Sequence, residues 1–133
     1  MHLKHIMRRR VDVAAPATPL WVAAHRMKSH NVALLPVCEG RKVVGVITWR
    51  DITMRATAQG RDPRHDIVQE VMMVPPVCAG EEQDLEDAAG LMQRWQLGSL
   101  PVVDRQMRLV GIVALSDVST ARQNKARKTR IGH

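Results

Sequence analysis

The chain has 133 residues, the size of one domain and too few for two independent hydrophobic cores. Hydrophobic residues make up 45% of it, but Phe and Tyr are absent and only three Trp occur, so aliphatic side chains and Met must fill the interior. Apolar runs such as residues 32–38 fall far below the roughly 20 residues that a membrane-spanning helix requires. The sequence therefore predicts no membrane segment.

Positive charge is concentrated at the two ends of the chain. The net charge is +7, and nearly half of the 20 Lys and Arg residues lie within residues 4–10 and 122–130. Such basic runs are usually solvated, although they can also hold nucleic acid through contacts that do not depend on base sequence. Asp12, Pro16 and Pro19 interrupt any apolar segment behind the first basic run, so we interpret the N-terminus as mature sequence.

Residue types that carry chemistry occur without the spacing that a catalytic or metal site needs. Cys38 and Cys78 show no zinc-ligand spacing, and we interpret them as small buried residues in a reducing compartment, which predicts a cytoplasmic protein. His2 and His5 are close in sequence, but we interpret the scattered histidines as surface residues rather than metal ligands. No P-loop, GxGxxG, HExxH or GxSxG pattern occurs, so we expect neither an enzyme nor a required cofactor.

An internal repeat organises the sequence. Four apolar residues with the spacing of one helix face recur 65 positions later, and a Leu-Pro-Val segment at 35–37 recurs at 100–102. Beyond these segments the offset becomes 66, because the second copy carries one extra residue between its strands. The matched residues are Leu20, Ala23, Ala24 and Met27 with Leu85, Ala88, Ala89 and Met92, then Gly45 with Gly111 and Asp51 with Asp117.

Each copy predicts the same series of elements after its amphipathic helix in the sequence. In the first copy these are a strand at 34–38, a turn at 39–41, a β-branched strand at 43–48 and a helix from about Asp51. In the second copy they are a strand at 100–103, a turn around 105–106, a strand at 109–114 and a helix from about Ser116. We interpret the stripes of Ala and Met on the first helices as core packing.

The segments LLPVCEGRKVVGVITWRDI and SLPVVDRQMRLVGIVALSDV resemble the CBS motif, and two such motifs in tandem resemble a Bateman module. The resemblance implies an α/β (α+β) fold of two β-α-β-β-α motifs related by a pseudo-two-fold axis. The first motif covers about residues 5–60 and the second about 70–121, with a basic tail at 122–133 outside them. It also implies two clefts between the motifs and association into a homodimer.

The ligand signature of the CBS family is G-h-h-[ST]-x-x-D, where h is a hydrophobic residue, and the first copy matches it from Gly45 to Asp51. A carboxylate can accept hydrogen bonds from both vicinal hydroxyls of a ribose, and a hydroxyl with backbone N–H groups can hold phosphate. Thr48-x-x-Asp51 is equally the pattern of a helix capping box, which needs no ligand. The second copy has Ala114 in place of the hydroxyl, so we expect its site to be weaker.

Carried over by position, the resemblance assigns residues to both clefts. Trp49 and Trp95 either form a wall of a cleft or lie in a dimer surface, and Arg50 is expected to replace a phosphate-binding side chain that Gly98 lacks. The main cleft is predicted to comprise Thr48, Arg50, Asp51, Pro76, Val77, Cys78, Leu97, Gly98, Ser99 and Pro101. The second cleft is predicted to comprise Asp117 with Val11, Val13, Val32, Ala33, Leu34 and Pro36.

These features predict a non-enzymatic regulatory module whose effector contains adenosine: AMP, ADP, ATP, NAD or S-adenosylmethionine. Such a module would act on a protein partner in trans or serve as a nucleotide buffer. Two alternatives stay open from the sequence. One is a nucleic-acid-binding protein that uses its basic termini, and the other is a structural dimer with vestigial clefts.

Overall fold

The computed structural model describes residues 1–131, with side chains described up to Arg127. The first half contains helix α1, Leu20–His30, followed by the antiparallel strands β1, Leu34–Glu39, and β2, Lys42–Thr48. A helix with π-type hydrogen bonds follows at Asp51–Ala56. Gly40 turns the hairpin with a φ of 60°, a left-handed conformation that glycine adopts without steric cost.

The second half repeats this order with one more strand. Strand β3, Ala79–Gly80, pairs in parallel with β4, Ser99–Val103, which pairs antiparallel with β5, Leu109–Ala114. Helix α2, Leu85–Trp95, lies between β3 and β4 in sequence. In the first half, the counterpart of β3 is a single parallel bridge between Ala14 and Val37. The predicted tandem α/β fold is confirmed, with the first strand of the first copy reduced to one residue pair.

Helix α3, Leu115–Ile131, contains most of the segment that the sequence suggested was a solvated tail. It begins one residue before the predicted start and continues through the basic residues. Arg122 forms two hydrogen bonds with Glu86 of α2, with Nε 2.8 Å from Oε1. The first part of the basic segment is therefore attached to the second half of the molecule. Residues 132–133 of the predicted tail lie outside the described residues.

The segments at the start of the two motifs are exchanged between the cores, so that each packs in the core of the other half. Leu3 and Met7 are buried in the core of the second half, while Val68 and Val71 are buried in the core of the first. Backbone hydrogen bonds from Leu3 to Gln83, at 2.9 Å, hold the N-terminal segment in place. Neither core is complete without residues from the start of the other motif, which agrees with a chain too short for two independent cores.

The two sheets meet at the pseudo-two-fold axis. The hairpin of the first half contacts that of the second through a bridge between Lys42 and Arg108, and the Val43 N–H donates to the Met107 carbonyl at 2.9 Å. A small hydrophobic cluster lies beside this contact and includes buried Cys38 and partly buried Cys78, both free. Burial raises the pKa of both thiols above the ordinary value. Within residues 1–131, no helix is long and apolar enough to cross a bilayer.

Candidate functional site

A cavity of about 350 Å³ lies between the two motifs, close to the pseudo-two-fold axis. Most of its walls come from three places: the segment after α1, the equivalent segment after α2, and the end of β2 with the start of the π-helix. Met73 and Ala114 complete the lining. Because the first two segments are 65 residues apart, the cavity is built from matching parts of the repeat. The lining residues are Asn31, Val32, Ala33, Leu34, Thr48, Trp49, Arg50, Asp51, Met73, Trp95, Gln96, Leu97, Gly98, Ser99 and Ala114.

Thr48 and Asp51 form a reciprocal hydrogen-bonded pair at this cavity. The Asp51 backbone N–H donates to the Thr48 hydroxyl at 3.0 Å, and that hydroxyl donates to Asp51 Oδ2 at 2.9 Å. The Thr48 backbone N–H also donates to Oδ2, at 3.1 Å. This is the capping box that the sequence left open, and its hydrogen bonds are all made within the chain. Both side-chain contacts end on Oδ2, which leaves Oδ1 as the carboxylate oxygen through which a ligand can bind.

The capping box and a ligand site are therefore compatible. Thr48 is buried, and its hydroxyl both accepts and donates within the box, which fixes the orientation of the Asp51 carboxylate. Asp51 itself is half-buried and lines the cavity. A partly desolvated carboxylate held in one orientation is suited to accept hydrogen bonds from a polar ligand.

Polar and aromatic side chains border the cavity on both sides of the axis. Arg50 Nη1 donates to Gln96 Oε1 at 3.1 Å, a contact between residues that belong to different motifs. Gln96 follows α2 in a left-handed conformation, as Asn31 follows α1, each with a φ of 54°. Trp49 and Trp95 line the cavity but keep 60% and 45% of their surface exposed. A planar ligand could therefore contact indole surface that solvent now covers.

Many of the predicted main-cleft residues come together in this cavity. Six of them line it: Thr48, Arg50, Asp51, Leu97, Gly98 and Ser99. Four are not among its lining residues: Pro76, Val77, Cys78 and Pro101. Val77 is buried in the core of the second half, Cys78 lies in the cluster on the axis, and Pro101 pairs with Ile112 in the centre of a hairpin.

Three residues predicted for the second cleft line the same cavity as Asp51. These are Val32, Ala33 and Leu34, which lie opposite Leu97, Gly98 and Ser99 across the axis. The other predicted second-cleft residues, Val11, Val13, Pro36 and Asp117, are not part of this lining. Sequence reasoning missed Asn31, Met73, Gln96 and Ala114. The repeat offset carried a signal for two of them, because it relates Asn31 to Gln96.

The glycine of the signature has a packing role. A Cβ at Gly45 would lie 2.5 Å from the Met72 sulfur, and one at Gly111 would lie 2.6 Å from the Met7 sulfur. Met72 and Met7 belong to the exchanged segments, so each glycine makes room for a methionine from the start of the other motif. The first residue of the ligand signature thus has a role in the packing of the fold rather than in ligand contact.

The second signature carboxylate, Asp117, is engaged by an arginine that the sequence interpretation placed in a solvated basic run. Arg8 Nη2 donates to Asp117 Oδ1 at 2.9 Å, and Arg8 Nε donates to Oδ2 at 3.3 Å. The Ala114 backbone N–H also donates to Oδ2, at 3.0 Å. The hydrogen bond and the charge of Asp117 raise the pKa of Arg8 above its ordinary value. The backbone of Arg8 also pairs with Ile112 of β5. Arg8 thus has a defined position in the fold and forms an ion pair with Asp117.

Metal-ligating side chains do not cluster in the part of the chain that the structure describes. The rings of His2 and His5 stack with centroids 6.0 Å apart. Among the residues that the structure describes, no group of three or more His, Cys, Asp or Glu side chains could hold a metal ion. The candidate site is thus the cavity between the motifs.

The family match to known proteins has the same two parts as the internal repeat. The family model described as CBS domain matches the chain twice, at residues 3–56 and 68–124. The chain belongs to the CBS domain family. Each match begins at one of the exchanged 3₁₀ segments, Leu3–His5 and Val68–Glu70. The molecule is a CBS pair, as the resemblance implied.

CBS pairs of similar sequence occur in proteins of different length. The CBS domain-containing protein YhcV of Bacillus subtilis is 44% identical over 117 residues, which cover 88% of this chain and 82% of that protein. An inosine-5'-monophosphate dehydrogenase of Korarchaeum cryptofilum is 31% identical over 110 residues, covering 83% of this chain but only 22% of the dehydrogenase. A related pair is thus most of one protein and a minor part of an enzyme in another.

Two solved CBS pairs with adenosine-containing ligands have the same fold. The CBS domain pair of protein MJ0100, in complex with 5'-methylthioadenosine and S-adenosyl-L-methionine, is 29% identical with a TM-score of 0.78. CBSX2 of Arabidopsis thaliana, in complex with AMP, is 25% identical, also with a TM-score of 0.78. Each comparison covers 94% of this chain and 98% of the other.

Proposed function

We propose that this CBS pair is a regulatory module that binds an adenosine-containing effector in the cavity between its motifs. The observation that carries the proposal is the Thr48–Asp51 pair, which presents an oriented, half-buried carboxylate to a cavity of about 350 Å³. That volume is within the roughly 300–1,000 Å³ typical of small-molecule sites. The ligands of the MJ0100 and CBSX2 structures support adenosine as the shared group.

Each part of the ligand has a chemically suitable partner in the cavity. The ribose diol would donate hydrogen bonds to Asp51, while the adenine ring would pack against apolar lining such as Met73 and Leu97. Arg50 would leave Gln96 to bind an anionic group of the ligand. Further contacts at Pro76, Val77, Cys78 and Pro101, predicted from the resemblance, remain part of the proposal for a ligand larger than the cavity.

The proposed role is that of an effector sensor without catalysis of its own. The lining of the cavity combines one carboxylate, one guanidinium and hydrophobic side chains, which is suited to binding. The ligand would act by changing the stability of the contact between motifs, because its site is built from both. The change would then be transmitted to a protein partner in trans, or to an attached domain as in the dehydrogenase relatives.

The nucleic-acid alternative is weakened by the pairing of the basic termini. Arg8 is bound to Asp117 and Arg122 to Glu86, so part of the positive charge is neutralised within the fold. A regulatory ligand site is therefore the better-supported function. The vestigial-cleft alternative predicts that no ligand binds in a binding assay, whereas our proposal predicts that an adenosine-containing ligand binds.

A thermal-shift screen provides the first test. AMP, ADP, ATP, NAD and S-adenosylmethionine would each be added to the full chain. A ligand present at 100 times its dissociation constant is expected to stabilise the folded state by roughly 2.7 kcal/mol, since it binds that state alone. A chain that none of the five stabilises would have vestigial clefts.

Calorimetry on Asp51→Ala tests the site itself. Loss of a charged acceptor for the ribose is expected to cost roughly 1.5–3 kcal/mol, or at least a tenfold loss of affinity. The variant also breaks a helix cap, so a matched control is required. Asp87→Ala breaks the equivalent capping box of α2, where the Asp84 N–H donates to Asp87 Oδ2 at 3.2 Å, and Asp87 does not line the cavity. Equal affinity losses in the two variants would contradict a direct role for Asp51.

A further inference from the structure

The carboxylates of the two signatures have different partners although their backbones match. Met73 pairs with Val46 of β2, and Arg8 pairs with Ile112 of β5, at equivalent positions of the repeat. Both pairs have two backbone hydrogen bonds, of 2.8 and 3.2 Å for Met73 and 2.8 Å twice for Arg8. The same position thus carries a thioether near Asp51 and a guanidinium near Asp117.

The guanidinium covers both oxygens of Asp117. Nη2 donates to Oδ1, the oxygen that remains available to a ligand in Asp51, and Nε donates to Oδ2. Arg8 is 66% exposed and Asp117 17% exposed, so the guanidinium lies on the solvent side of the carboxylate. A ligand that approaches from solvent therefore meets Arg8 first.

We propose that Arg8 acts as an internal substitute for a ligand at Asp117 and keeps the second cleft closed to ribose. The inference rests on the proposed function, because it assigns the binding of adenosine to the Asp51 cavity alone. It adds that Arg8, rather than only the missing hydroxyl at Ala114, determines which half binds. The CBS pair would accordingly bind one ligand per chain.

The test is a gain of binding, measured as the number of AMP molecules bound per chain by calorimetry. Arg8→Met copies Met73 of the other half, and Ala114→Thr restores the hydroxyl that Thr48 supplies. The double variant is expected to bind a second AMP, and adding Asp117→Ala to it should remove that second site. Arg9→Met is one control, since it removes a neighbouring exposed charge that forms none of the described ion pairs. Ala114→Thr alone is the other, because Ala114 also lines the Asp51 cavity: it should still bind one AMP, and two AMP molecules bound to this single variant would overturn the role of Arg8.

The outcomes distinguish the blocking role of Arg8 from the proposed binding of adenosine at Asp51. One AMP in the wild type and two in the double variant would support both. One AMP in each, with the fold intact by circular dichroism, would overturn the role of Arg8 and leave the proposed function standing. No AMP in the wild type and one in the double variant would reject the Asp51 site and support the blocking role. No AMP in either protein, or two AMP molecules of similar affinity in the wild type, would overturn the inference.

A measurement without ligand tests the contact directly. The Nε–H proton of Arg8 should exchange with solvent at least several-fold more slowly than that of Arg9, because a hydrogen-bonded donor is protected. Asp117→Ala should remove the difference. Equal exchange of the two side chains in the wild type would show that the contact does not persist in solution, and it would overturn the inference.

Discussion

Single residues account for several differences between halves that otherwise repeat. Gly45 and Gly111 both make room for a methionine, but their surroundings are not equal. The three atoms nearest to a Cβ at Gly45 all belong to the flexible Met72 side chain. At Gly111 they include the backbone oxygen of Arg8, at 2.8 Å, which cannot move without disturbing the pairing with β5.

We therefore expect Gly111→Ala to destabilise the protein more than Gly45→Ala. Overpacking typically costs about 1–3 kcal/mol, and we place Gly111→Ala near the upper end and Gly45→Ala near the lower. Gly90→Ala is the control: nothing lies within 4 Å of its Cβ in the middle of α2, so it should stabilise the protein by about 0.5–1 kcal/mol. Urea denaturation of the three variants measures the differences. A larger loss for Gly45→Ala than for Gly111→Ala would contradict the packing argument.

At the scale of elements, the exchanged segments connect the two motifs. The sequence repeat alone would suggest two units that each pack on themselves. The 3₁₀ segment Leu3–His5 lies at the start of the first motif but packs on the second half, and Val68–Glu70 does the reverse. Leu3 is fully buried, so its side chain contributes to a core that is distant in sequence. The contacts of these segments also position Arg8 and Met73 beside the two signature strands.

Leu3→Ala is expected to weaken the second half rather than the first. Removal of a fully buried leucine side chain typically costs about 2–5 kcal/mol. Hydrogen exchange should show the largest loss of protection in residues 85–121, while Val68→Ala should affect residues 20–56 most. The reverse pattern, or a loss confined to the N-terminal ten residues, would argue against the exchange of segments.

The whole molecule has unequal outer helical surfaces. Trp21 and Trp49 line one shallow apolar depression and are 53% and 60% exposed. The position in α2 that matches Trp21 is Glu86, which is paired with Arg122. The first half therefore presents apolar surface where the second half presents charge, and exposed apolar surface of this kind is typical of protein contacts.

We expect the chain to form a homodimer in which the Trp21 surface is buried. Trp21→Glu should shift the mass measured by light scattering toward the monomer, because a buried charge without a partner is costly. Thr120→Glu adds the same charge to the exposed surface of α3 and should leave the mass unchanged. A wild-type protein that is monomeric at high micromolar concentration would contradict the expectation.

The sequence by itself determined the repeat, the order of the elements and the central residues of the candidate site. Helical periodicity, β-branched strands and the Thr48-x-x-Asp51 spacing are local properties, so they can be read over a few residues. The offset between copies then related the two halves, although it could not show which parts of them face each other.

Only the tertiary structure decided how the halves share residues. The exchange of the N-terminal segment joins residues about as far apart as Leu3 and Gln83, and the pairing of Arg8 with Asp117 spans 109 positions. Likewise, Val32, Ala33 and Leu34 proved to face the Asp51 cavity because the segments after α1 and α2 meet at the axis. Contacts of this kind depend on the packing of one half against the other, so no local pattern in either copy encodes them.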